Sequence, residues 1–139
     1  MIKKSLYFLS FLFFVSYSYA NEIDYDLLKY KNGLLYIKEI NAIFTGNVTG
    51  IQNGKVVNGL KEGEWKGFYE NGNLLWSGFY NKGLNVSKWI EYHNNGKVFT
   101  TGHYENGKKI GIWTFYDKKG RKIAEEIFHN GSITTKIYK

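Results

Sequence analysis

The chain has 139 residues, a formal net charge of +7 and no cysteine or proline, which leaves room for one domain and excludes a disulfide framework or thiolate metal ligands. Its 16 glycines, 12 tyrosines, 10 phenylalanines and four tryptophans suit many short strands joined by glycine turns, not a helical bundle.

Residues 1–20 read as a secretory signal peptide. Lys3 and Lys4 form a basic start, 6–15 is an apolar run, and Ser18 and Ala20 put small residues where cleavage after Ala20 needs them. The run is short for a membrane anchor, which takes about 20 apolar residues. The expected mature chain begins at Asn21, carries about +5 without Lys3 and Lys4, and is periplasmic, cell-surface or secreted. Export makes nucleic acid an unexpected partner.

Residues 21–58 read as an N-terminal cap and a degenerate repeat. Asn32-Gly33 is the first turn signal; Phe44-Thr45-Gly46, Asn53-Gly54 and Asn58-Gly59 then follow in repeat order without a tryptophan. Terminal units of stacked folds depart from consensus because one side has no neighbour.

From residue 59 the repeat is explicit. Trp65, Trp89 and Trp113 recur every 24 residues, each followed after seven by Gly72, Gly96 or Gly120 and after fifteen by Tyr80, Tyr104 or Phe128. Three full copies, 59–82, 83–106 and 107–130, and a fragment, 131–139, predict an all-β, elongated sheet of consecutive antiparallel hairpins. With Asn71 and Gly72 as a two-residue type I′ turn, the register pairs Tyr69 with Leu74, Gly67 with Trp76 and Trp65 with Gly78. The next copy sets Trp89 opposite Gly102, so each indole is expected to cover the glycine it pairs with; Trp113 opposite Glu126 breaks the rule. Odd strands lie about 9.5 Å apart, so the three indoles cannot stack directly, and Tyr80 and Tyr104 are expected to fill the aromatic layer between them. Leu75, Phe99 and Ile123 form a second apolar column, expected on the other face.

The unit W-x-x-[FY]-x-x-x-G followed by G-x-Y-x-N-G-x-x-x-G-x-W, best seen at 102–113, resembles the bacterial variant of the MORN repeat over about 59–131. The resemblance implies a hairpin scaffold, contacts with proteins or membranes, and an antitoxin-like role in some members. It implies no active-site residues, because such families share a scaffold and not a catalytic set.

The remaining chemistry is sparse. His93, His103 and His129 occupy different places in the repeat, without ligand spacing, and the carboxylates sit beside turns, with Glu105 and Lys108 a candidate cross-strand pair. No catalytic, metal or cofactor residue is expected. Lys108, Lys109, Lys118, Lys119, Arg121 and Lys122, on adjacent turns, are a candidate basic stripe for an acidic partner, wall polymer or anionic lipid. With Tyr80 and Tyr104 they make the candidate interaction surface. The expected function is a non-enzymatic protein-interaction module; a glycan-binding module using the aromatic rows and an immunity protein against a partner toxin are the alternatives.

Overall fold

The computed structural model describes residues 22–139, so the expected signal segment, 1–20, lies outside the described residues. The described residues form an open sheet of ten strands with a three-stranded sheet beside its N-terminal end. A short strand β1 (Glu22–Asp24) and a 3-10 turn (Tyr25–Leu27) lead into β2 (Leu28–Lys31), β3 (Leu34–Ile37) and β4 (Ala42–Ile43), which make up the small sheet. The large sheet then runs in chain order through β5 (Gly46–Thr49), β6 (Gln52–Val57), β7 (Leu60–Phe68), β8 (Leu74–Asn81), β9 (Leu84–Tyr92), β10 (Val98–Glu105), β11 (Lys108–Tyr116), β12 (Lys122–His129) and β13 (Ser132–Tyr138). From β5 onward every neighbour is antiparallel; only β1, lying parallel to β5, departs from the meander.

Two kinds of turn alternate. Along one edge lie two-residue loops with positive φ at both positions, at Asn58-Gly59, Lys82-Gly83, Asn106-Gly107 and Asn130-Gly131, the type I′ geometry that suits strand twist. At the other edge the loops have three residues. Tyr69 N–H donates to the Asn73 carbonyl at 2.8 Å and Gly72 N–H to the Tyr69 carbonyl at 2.9 Å, and Gly72 has positive φ whereas Asn71 does not. The sequence expectation of a type I′ turn at Asn71-Gly72 is therefore corrected, as is the Tyr69–Leu74 pair: Phe68 pairs with Leu74. The deeper pairs survive, Gly67 with Trp76 and Trp65 with Gly78, because Leu75 is extruded from the ladder and restores the offset that the longer loop introduced. Phe99 and Ile123 are the equivalent bulged residues, so the supposed second apolar column is a column of bulges outside the ladder.

A larger irregularity recurs where each odd strand meets the strand before it. Gly54, Gly78 and Gly102 are each spanned by three residues of the next strand: Gly63 to Trp65, Ser87 to Trp89, and Gly111 to Trp113. The first of each three has positive φ, +69° at Gly63, +59° at Ser87 and +63° at Gly111, a conformation that costs a residue with a Cβ roughly 1 kcal/mol. Gly54 thus lies within a strand; the expected Asn53-Gly54 turn does not form. The core sits at the N-terminal end, where Leu28, Leu35, Phe44, Val48 and Val56 pack with Trp65. Backbone bonds from Leu35 N–H to the Gly59 carbonyl and from Gly59 N–H to the Phe44 carbonyl, both 2.8 Å, tie the small sheet to the first hairpin.

Candidate functional site

Residues that pair across strands share a face, so Trp65, Trp76, Tyr80, Trp89, Tyr104, Trp113 and Phe128 line one side of the large sheet. The three odd-strand bulges set the indoles. A Cβ built on Gly54 would lie 2.2 Å from Trp65, one on Gly78 1.9 Å from Trp89, and one on Gly102 2.3 Å from Trp113. Each indole therefore covers the glycine of the strand before it, which corrects the expectation that Trp65 covers Gly78 and Trp89 covers Gly102. The same geometry explains Glu126. It pairs with Trp113, but a glycine there would serve an indole at position 137, and that residue is Ile137.

Tyr80 and Tyr104 lie in the aromatic layer between the indoles. Edge-on contacts run from Trp65 to Tyr80 (6.1 Å between centroids), Tyr80 to Trp89 (5.8 Å), Trp89 to Tyr104 (5.5 Å), Tyr104 to Trp113 (5.1 Å) and Trp113 to Phe128 (6.2 Å). Such T-shaped pairs add about 1 kcal/mol each beyond the area they bury. Trp65 and Trp113 are fully buried and Trp89 is 7% exposed, so the indoles are committed to packing. The N–H of Trp65 donates to the Lys55 carbonyl at 3.1 Å and that of Trp113 to the His103 carbonyl at 3.3 Å.

Two lysines join this layer. Lys61, only 5% exposed, holds its Nζ 4.1 Å from the Trp65 ring, 5.1 Å from Tyr80, 5.5 Å from Tyr25 and 5.7 Å from Trp76, and donates to Gln52 Oε1 at 2.6 Å. Burial pulls Lys61 down to about 8; the ring quadrupoles and the amide oxygen favour the ammonium and oppose that pull. Burial also raises Tyr25, Tyr80 and Tyr104 above the usual phenol value. Two periods after Lys61, Lys109 stands 3.9 Å from Trp113 and 5.2 Å from Phe128. In the middle copy the residue at that place is Asn85, and there Trp76 stacks on Trp89 at 4.8 Å and 13°. Lys61 and Trp76 went unnoticed as members of the layer, yet a signal existed: Lys61 and Lys109 each stand four residues before a repeat tryptophan.

The candidate basic stripe does not assemble. Successive turns of a meander alternate between edges, so Lys108 and Lys109 start β11 while Lys118, Lys119, Arg121 and Lys122 lie past its other end, nine residues and about 30 Å away. Lys109 is taken up by Trp113, Lys108 faces Glu105 across the turn as expected and donates its Nζ to Asn130 Oδ1 at 2.9 Å, Arg121 bridges Asp117 at 2.7 Å, and Lys122 bridges Glu125. Gly72, Gly96 and Gly120 serve the three-residue turns, which link into a ladder. Tyr69 Oη donates to the Tyr92 carbonyl at 2.7 Å, His93 Nε2 lies 2.9 Å from the Tyr116 carbonyl and so carries the proton, and Asn95 Nδ2 donates to the Lys118 carbonyl at 2.9 Å. Among the described residues no group of three or more His, Asp or Glu side chains could hold a metal ion.

No family model matches the chain, and no curated protein matches it.

The face opposite the indoles is the open one. Phe79 (45% exposed), Leu84 (49%) and Ile112 (56%) project there, and a depression of about 530 Å³ is lined by Lys88, Ile90, Val98, Thr101 and Tyr116 together with the two turns carrying Lys97 and Lys119.

Proposed function

We propose that this chain is an exported, non-enzymatic MORN-like repeat protein that serves as a protein-interaction module. One observation carries the reading: the tryptophans are packed away on one face while large aliphatic and aromatic side chains, Phe79, Leu84 and Ile112, stand half-exposed on the other. Apolar groups on a polar-rimmed sheet are what protein interfaces use at their centres. The repeat pattern at 59–131 supports the MORN-like assignment, and the basic, apolar start of the sequence supports export.

The glycan-binding reading draws less support, because sugar recognition by stacking needs an open aromatic face and each repeat indole is closed by a glycine and by tyrosine edges. An immunity protein is a special case of the interaction module, with a toxin as its partner. The test is a pull-down from envelope and secreted fractions with residues 21–139, read by mass spectrometry. One dominant protein supports the module; recovery of wall glycan alone, with sugar-dependent tryptophan quenching, overturns it in favour of glycan binding.

A further inference from the structure

The depression opposite the indoles has an apolar floor and a cationic rim. Ile90 of β9 pairs with Thr101 of β10, and Tyr92 with Val98, which sets Ile90, Val98 and Thr101 on this face, opposite Trp89 and its partner Gly102. Tyr116 closes one side. Lys88 stands at the rim, and Lys97 and Lys119 flank it from neighbouring turns of the same edge, where Lys97 Nζ donates to the Lys119 carbonyl at 2.8 Å. That bond steers the Lys97 ammonium toward Lys119 and leaves two of its three N–H groups to give.

The neighbouring acids are already neutralised. Glu64 is 3.3 Å from Lys66, Asp117 is 2.7 Å from Arg121, and Glu125 is bridged by Lys122. Lys88, Lys97 and Lys119 have no carboxylate within 4 Å among the described residues, and no acidic side chain lines the depression. Three ammonium groups of one sign around an apolar floor make a field that attracts anions and a surface that attracts hydrocarbon. The floor continues past Ile90 into a smaller hollow of about 190 Å³ lined by Ser77, Phe79, Lys88 and Glu64, the last paired with Lys66 at 3.3 Å, so the two together make a trough across β8 to β11 with Glu64 as the acid at its β7 end. Its openness to solvent suits an extended segment laid across the strands, held at intervals by apolar side chains.

We propose that this trough is the docking site of the module's protein partner, and that the partner presents an extended acidic segment in which apolar side chains alternate with Asp or Glu. The proposal rests on the interaction-module reading and specifies the chemistry of its partner. Apolar side chains fill the floor between Ile90, Val98 and Tyr116, and the flanking carboxylates meet Lys88, Lys97 and Lys119.

The experiment selects blocked twelve-residue peptides from a random display library on residues 21–139 and measures the enriched peptides by fluorescence anisotropy. The expected result is enrichment of Asp and Glu around aliphatic or aromatic positions, with amide shifts on Ile90, Val98, Thr101 and Tyr116. Affinity should fall about tenfold or more in K88E/K97E/K119E and stay unchanged in K31E/K136E, whose lysines lie in β2 and β13 away from the trough. Retained thermal unfolding of the triple variant shows that the loss is not misfolding. Peptides that are neutral or basic, binding that survives the triple reversal, or no enrichment at all overturns the proposal. A protein captured in the pull-down that binds wild type and the triple variant equally keeps the interaction module and discards this trough; peptide docking here with only glycan in the pull-down does the reverse.

Discussion

Trp65 and Trp113 hold the same place two periods apart. Both are fully buried, both cover a glycine of the preceding strand, and both carry a lysine ammonium over the ring, yet they are buried by different means. Trp65 lies under the N-terminal sheet, packed with Leu28, Leu35, Phe44, Val48 and Val56. Trp113 has no such cover and is closed by Tyr104, Phe128 and the stem of Lys109. The repeat supplies a position and a glycine seat for each indole, and the neighbourhood decides how the seat is roofed. Trp89, between them, has a third solution, the stacked ring of Trp76.

Removing either indole should expose the difference between the two sites most sharply. Trp65→Ala should cost about 5 kcal/mol and Trp113→Ala about 3 kcal/mol. Hydrogen exchange should separate them: protection of Leu35 and Phe44 is lost with Trp65 and kept with Trp113. Equal losses would mean that the N-terminal sheet does not depend on the first indole. Next, Gly78→Val should cost about 3 kcal/mol in urea unfolding because its Cβ falls 1.9 Å from Trp89. Glu126→Val, at the equivalent place without an indole to receive, should cost less than about 1 kcal/mol.

The lysine over Trp65 offers a pH test. Burial lowers Lys61 to about 8 from the ordinary lysine value of 10.5, so between those values the unfolded chain holds a proton that the folded chain has released. Stability therefore rises with pH across that window. The raised tyrosines act oppositely above about pH 10, since the folded state retains their protons. Thermal unfolding should thus show a gain on the order of 1 kcal/mol between about pH 8 and 10 in the parent chain and none in Lys61→Met, which keeps the fold because a buried charge exchanged for an apolar chain of like volume is tolerated. The smallest effect is at the turn ladder: Tyr69→Phe removes the bond to the Tyr92 carbonyl and should lower stability by about 1 kcal/mol.

Much of the architecture was legible because it depends on period. The 24-residue recurrence of Trp65, Trp89 and Trp113 yields the hairpins, their order, and the tyrosines between the indoles. The Trp65–Gly78 and Trp89–Gly102 pairs follow even from a wrong turn type, since the longer loop at 70–72 and the bulge at Leu75 offset each other. What was not legible is the direction in which each indole leans. A three-residue excursion beginning at Gly63, Ser87 or Gly111 turns the ring back onto the earlier strand, and Ser87 hides the signal by placing a non-glycine at positive φ. The basic stripe failed for a simpler reason, because residues close in sequence across one strand end up at opposite edges of the sheet. The trough around Ile90 was invisible, since its floor and rim come from four strands and two turns, none with a distinctive motif.

The seating of the indoles is the claim on which the account rests, and proton NMR tests it directly. Nuclear Overhauser contacts from the Trp89 ring should reach the Gly78 Hα protons, with ring-current upfield shifts at Gly54, Gly78 and Gly102 alike. Contacts from the Trp65 ring to Gly78, with the Gly54 protons unshifted, would contradict it.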